Sequence, residues 1–123
     1  MENLFIGFGT LLLGFGLYIK YEKTLDHSSK ITPKVAKEKI ANGAKVLDVR
    51  TSTEYNISHY KGAVNLTYDQ LSDTNLTNNG ISKTDTIVVY CNSGTRARKA
   101  SDKLVDLGYK NVFYIVETYL SLK

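Results

Sequence analysis

One cysteine, one proline and no tryptophan stand in 123 residues. A lone cysteine excludes an internal disulfide framework and leaves a free thiol, which suits a reducing compartment. No run of basic residues and no aromatic RNA-binding motif is present, so nucleic acid is not an expected partner. Neither a metal nor a cofactor is expected. Basic residues are also missing from the first nineteen positions, where Glu2 is the only charge. From Lys20 onward sixteen basic residues face eleven acidic ones, an excess of +5. An excess of that size suits small anions or an anionic membrane surface. With 123 residues there is room for one modest core and not two.

What is there begins with the cysteine. Cys91 ends the apolar run Ile87, Val88, Val89, Tyr90 and opens the segment Cys91-Asn92-Ser93-Gly94-Thr95-Arg96, after which a helical pattern starts. That order is a strand, a tight loop and a helix start with a nucleophile at the hinge. The thiolate is the reactive form of cysteine, and a helix N-terminus with inward-turned backbone N–H groups favours it. Small residues at Ser93, Gly94 and Thr95 allow such a nest, and Arg96 adds a permanent planar cation for an oxyanion. The hydroxyls of Ser93 and Thr95 either donate to a bound substrate or cap the following helix.

Residues 4–19 (LFIGFGTLLLGFGLYI) carry no charge and are followed at once by Lys20-Tyr21-Glu22-Lys23. This is close to spanning length for a bilayer. A cleaved signal peptide fits less well, because no basic n-region and no small-x-small cleavage site are present. The lysines all follow the apolar run, so the positive-inside rule places the larger part of the chain in the cytoplasm, with Tyr18 and Tyr21 at the interface. Gly7, Thr10 and Gly14 recur at helical spacing, a pattern that lets two spans approach or simply faces lipid. The expected organisation is an anchor over 1–20, a linker over 21–30 and one domain over 31–123. The expected location is a bacterial inner membrane, crossed once.

Thr32-Pro33 starts a helix with apolar face Val35, Ala36, Ile40 and Ala41, stopped by Asn42-Gly43. A strand is predicted over 45–50 (KVLDVR), then an irregular polar stretch over 51–61, an apolar piece over 62–66, a turn of helix over 68–71 and a loop over 75–83. Then come a strand over 87–90, a helix over 95–107 with Ala97, Ala100, Leu104 and Leu107 on one face, a strand over 112–116 and a short helix over 118–122. Strands with continuous apolar runs, separated by helices, predict an α/β fold with a mostly parallel sheet covered on both faces. Ligands of such sheets bind beyond the carboxyl ends of the strands, where Cys91 stands.

The order of motifs resembles a single-domain rhodanese. The pieces are Leu47-Asp48-Val49-Arg50, Glu54-Tyr55, the run from His59 to Leu66, Val88-Val89-Tyr90-Cys91 with Asn92 to Arg96, and Leu107-Gly108-Tyr109 with Asn111-Val112. They cover essentially all of 31–123. The resemblance implies a small α/β domain with a central parallel sheet, in which Cys91 accepts a sulfane sulfur as a persulfide and passes it on. The spacing Cys91-x4-Arg96 is one residue shorter than the C-x5-R loop of the related phosphatases and arsenate reductases, and position 97 is Ala. The comparison favours sulfur over phosphate or arsenate.

On that basis a small anionic donor such as thiosulfate is attacked by Cys91, Arg96 and the loop N–H groups stabilise the leaving oxyanion, and an external thiol or cyanide removes the sulfur in a ping-pong cycle. The resemblance also implies that Asp48 and Arg50 brace the loop; an ion pair with Glu54 or a surface role is the alternative. His59 is expected to fix a turn rather than act as a base. Family members usually carry Gly-Gly and an aromatic residue after the last strand, with a Trp beyond. Here Glu117-Thr118-Tyr119 and Leu122 occupy those places. Two other functions stay open: a non-catalytic binding or sensing module at the membrane, and a small phosphatase or arsenate reductase.

Overall fold

The computed structural model describes residues 28–123. The apolar run over 4–19 lies outside the described residues, and so does most of the expected linker. Among the described residues no helix is long and apolar enough to cross a membrane.

Five parallel strands form one sheet in the order β1-β5-β4-β2-β3: β1 (Ser29–Lys30), β2 (Lys45–Asp48), β3 (Val64–Asn65), β4 (Thr86–Tyr90) and β5 (Asn111–Tyr114). The helices are α1 (Pro33–Ala41), α2 (Ser52–Ile57), α3 (Asp73–Asn78) and α4 (Thr95–Asp106), with 3-10 turns at Tyr68–Gln70 and Tyr119–Leu122. The central pairing is β2 against β4, with Lys45 opposite Ile87 and Asp48 opposite Tyr90.

Strand alternation decides which side chains go where. Along β4 and its continuation, Ile87, Val89 and Cys91 point to one face and join Leu47, Leu76, Ala97, Ala100 and Leu104 in one core cluster. Val88 and Tyr90 point to the other face and pack with Ala36, Val46, Ile115 and Leu122. Both faces are covered, so the strands need no polar alternation, which is why they read as continuous apolar runs. The Cys91 side chain therefore belongs to the α4 face.

Several expected boundaries shift. Ser29 and Lys30, read as linker, pair with Phe113 and Tyr114 as an edge strand. The strand expected over 45–50 ends at Asp48, because the Asp48 carboxylate accepts the Arg50 backbone N–H at 2.9 Å and turns the chain. The stretch over 51–61 is not all irregular: Thr51 caps α2, with Thr51 Oγ1 accepting from Glu54 N–H and the Glu54 carboxylate accepting from Thr51 N–H in a capping box. The loop expected over 75–83 begins as α3, capped by Ser72. The last strand stops at Tyr114 rather than Val116.

The turn that ends β2 is tied to β4 by a buried polar network. Asp48 is fully buried and Arg50 nearly so. Arg50 Nε donates to Asp48 Oδ1 at 3.0 Å, and Nη2 donates to Oδ2 at 2.7 Å and to the Ser58 carbonyl at 2.7 Å. The Tyr90 hydroxyl donates to Asp48 Oδ2 at 2.6 Å and accepts from Tyr60 N–H at 3.1 Å. Burial and the Asp48 carboxylate raise the Tyr90 phenol above its usual range. Removing that hydroxyl leaves Asp48 Oδ2 with Arg50 as its only donor residue and strands the Tyr60 N–H. Tyr90→Phe is expected to lose about 1–3 kcal/mol of stability in urea denaturation; an unchanged midpoint would remove the network from the fold's support.

Candidate active site

Cys91 directly follows the last residue of β4, and its sulfur turns back beneath the loop that leads into α4. The residue is 1% exposed. Two backbone N–H groups converge on Sγ: Gly94 N–H at 3.1 Å and Ala97 N–H at 3.3 Å. Three residues, Asn92 to Gly94, and a chain reversal separate Cys91 from the start of α4, so the first turn of α4 presents its Ala97 N–H to the sulfur. Donors arranged in this way stabilise negative charge on sulfur and on a sulfur attached to it.

Gly94 makes the reversal possible. It occupies the N-cap of α4 in the left-handed region, with φ 96° and ψ −21°, where a side chain is strained. A Cβ at that position would also lie 2.6 Å from Val116 Cγ1 and 2.9 Å from Val116 Cα. The chain after β5 thus packs directly on the loop. Ser93 and Thr95 are exposed, and Gly94 holds the N-cap without any side-chain cap hydrogen bond. The expectation that Ser93 or Thr95 caps the helix is therefore not met. Glu117 is exposed; the residue that touches the loop is its neighbour Val116.

Arg96 stands at the far end of the loop but is not a free cation. Its Nη1 donates to Glu54 Oε1 at 2.8 Å and its Nη2 to Glu54 Oε2 at 3.2 Å. The Asn92 amide donates to Glu54 Oε2 at 3.0 Å. One carboxylate from α2 therefore grips both ends of the segment from Asn92 to Arg96. The Arg96 hydrogen bonds, followed by that from Thr51 N–H, hold the Glu54 carboxyl at about 2 against an ordinary 4.5. Arg96 is raised in turn by Glu54. The pair is part-exposed, with 43% of the Arg96 side chain and 32% of the Glu54 side chain accessible. Arg96 also lines a cleft of about 180 Å³ shared with Thr51, Tyr68 and Lys99.

Asp48 and Arg50 stand at the end of β2, beside the strand that carries Cys91. They pair with each other on the opposite sheet face, with the Arg50 guanidinium 5.4 Å from the Tyr90 ring and 5.5 Å from the Tyr119 ring. Among the described residues neither hydrogen-bonds to 92–96; their influence on the loop passes through Tyr90, the residue before Cys91. The partner of Glu54 is Arg96, not Arg50. His59 stacks on Tyr55 at 3.7 Å, and its Nδ1 lies 2.8 Å from the Tyr55 carbonyl oxygen. A carbonyl only accepts, so Nδ1 carries the proton and His59 fixes the turn after α2. The Glu54 contact with Arg96 and the Ala97 N–H are the features of the site that sequence reasoning did not single out; Glu54 itself was read only as a motif residue and a partner for Asp48 or Arg50. The capping-box pattern Thr51-x-x-Glu54 was the available signal for the first; a backbone N–H leaves none.

The lowered Glu54 carboxyl makes the Glu54–Arg96 contact a pH-dependent support. A carboxyl depressed in the folded state stabilises fully above its ordinary value of 4.5 and loses that contribution as pH falls toward about 2. Urea denaturation of the native chain and Glu54→Gln is expected to show a stability gap that is constant from about pH 5 to 8 and closes below about pH 4.5. A gap that persists unchanged at the acid end would show that ionisation of Glu54 is not its source.

Comparison with known proteins agrees with this geometry. A family model described as Rhodanese-like domain matches residues 32–120. The thiosulfate sulfurtransferase GlpE of Haemophilus influenzae is 33% identical over 93 residues, spanning 71% of this chain and 80% of the relative. The chloroplastic thiosulfate sulfurtransferase 16 of Arabidopsis thaliana is 31% identical over 100 residues, spanning 74% and 83%. Among solved structures, the human single-domain sulfurtransferase TSTD1 superposes with a TM-score of 0.64 at 20% identity, covering 76% of this chain and 94% of that one. The rhodanese-like domain of Alr3790 from Anabaena gives 0.65 at 21% identity, covering 77% and 73%. Those two likenesses speak to the fold, the first two to sequence kinship, and together they place residues 32–120 of this chain in the rhodanese-like domain family.

Proposed function

We propose that the chain is a rhodanese-type sulfurtransferase working through a persulfide on Cys91. The observation that carries this is the convergence of the Gly94 and Ala97 N–H groups on a buried cysteine sulfur. Relatives at 31–33% identity named as thiosulfate sulfurtransferases support it.

In the first half-reaction the Cys91 thiolate attacks the outer sulfur of thiosulfate or a related donor. The new S–S bond forms to Cys91, the donor's own S–S bond breaks, and its electron pair leaves on sulfite. The persulfide anion is held by the loop N–H groups. Arg96 stabilises the leaving oxyanion with the guanidinium N–H groups that Glu54 does not engage, since the fork has five donors and Glu54 takes two. In the second half-reaction cyanide or an external thiolate attacks the outer sulfur, and the electron pair of the breaking S–S bond returns to Cys91. Phosphatase or arsenate reductase chemistry is disfavoured because position 97, where a longer loop would place its Arg, is a buried Ala.

The apolar run over 4–19 supports a further proposal, that the domain is tethered to a bacterial inner membrane and faces the cytoplasm. Full-length chain expressed in bacteria is expected in the membrane fraction after an alkaline carbonate wash, and a chain beginning at residue 28 in the soluble fraction. Equal partition of both would remove the anchor.

For the activity itself, thiosulfate and cyanide are expected to yield sulfite and thiocyanate with the native chain, and the rate to fall to background in Cys91→Ser. Turnover that survives Cys91→Ser would contradict the persulfide, and a folded native chain without turnover would favour a binding module.

A further inference from the structure

Glu54 sets a negative charge against the one cation of the loop. A site that binds anions gains by leaving its cation free, yet here both terminal nitrogens of Arg96 are taken by one carboxylate. The same carboxylate holds the Asn92 amide and is itself fixed by Thr51, whose N–H and hydroxyl donate to Oε1 at 2.9 and 3.1 Å. All of its contacts come from charged or N–H and O–H donors, so at neutral pH it is ionised and oriented. Glu54 lies on α2, anchored by the capping box, and Arg96 lines the cleft that opens beside the loop. An anion entering beside Arg96 meets an ion pair rather than a bare cation.

We infer that Glu54 is a positioning residue that sets the charge preference of the sulfur donor: by clamping and neutralising Arg96 it makes the loop favour donors of low negative charge over dianions. The inference rests on the sulfurtransferase reading above and adds to it the class of donor. Sulfane sulfur carried by monoanions or on neutral carriers, as in organic thiosulfonates and alkyl persulfides, is thereby accepted with less penalty than inorganic thiosulfate. A purely mechanical brace has a different signature, because loosening the loop slows every donor alike.

The test compares kcat/KM for thiosulfate, a dianion, and methanethiosulfonate, a monoanion that delivers the same sulfane sulfur and leaves as a sulfinate. Removing a partly screened unit charge beside the donor is expected to raise kcat/KM by about threefold per negative charge on the donor. Glu54→Gln therefore raises the thiosulfate-to-methanethiosulfonate ratio by about threefold, and the rise shrinks at high salt. Glu54→Asp keeps the charge while shortening the reach, so its ratio stays native even where its absolute rates fall. Equal effects on both donors, equal shifts of the ratio in Gln and Asp, or a salt-independent shift would overturn the inference, as would a Glu54→Gln chain that does not fold, since Glu54 would then be a structural requirement. Absence of turnover of either donor by the native chain is a separate result, and it counts against the sulfurtransferase reading instead.

Discussion

A cysteine sulfur that is 1% exposed and still accepts two backbone N–H groups is the constraint around which the rest of the domain is arranged. For both N–H groups to reach one atom, the chain must leave β4, reverse within the segment from Asn92 to Arg96 and enter a helix whose first turn faces back. The reversal demands a left-handed residue, supplied by Gly94, and the approach of Val116 leaves no room there for a side chain. The parallel sheet sets the loop at its carboxyl edge, and strand alternation turns the sulfur toward α4. Each level of organisation thus narrows the position of one atom.

The polar groups divide the work between the two sheet faces. On the α4 face the loop is closed by Glu54, a part-exposed carboxylate that reaches Asn92 and Arg96 from an otherwise separate helix. On the other face Asp48, Arg50 and Tyr90 form a buried hydrogen-bonded network. A buried ion pair is costly to desolvate and is tolerated when its remaining donors and acceptors are met. Here the spare Arg50 donor finds the Ser58 carbonyl, and Asn65 donates to the Asp48 and Arg50 carbonyls. The network fixes Tyr90, and through it the direction in which the backbone delivers Cys91. One set of charges shapes the site from within the loop and the other aims the strand that carries it.

The central strand, the loop and α4 were legible in the residues because each has a strong local signal: an apolar run, a small-residue loop ending in Arg96, and a helical face of Ala97, Ala100 and Leu104. The α/β class followed from the same runs. β1 escaped because a two-residue edge strand has no periodicity, and its pairing with β5 is long-range. α2 escaped because none of its residues is buried, so no apolar stripe marks it, although Thr51-x-x-Glu54 is a capping signature. That omission hid the contact of Glu54 with the loop and left Arg96 looking like a free cation. Asp48 and Arg50 were legible as charges at a strand end, but two such residues do not reveal which face they take or that Tyr90 joins them. The Ser93 and Thr95 hydroxyls drew attention as caps because their chemistry suits the role; the backbone at Gly94 decided otherwise.

The most direct measurement is intact mass and peptide mapping of the chain after brief exposure to a sulfane donor, followed by cyanide. The account requires one added sulfur atom on the peptide containing Cys91, released as thiocyanate with return to the starting mass. A donor-treated chain that turns over thiosulfate yet never carries sulfur on Cys91 would contradict it.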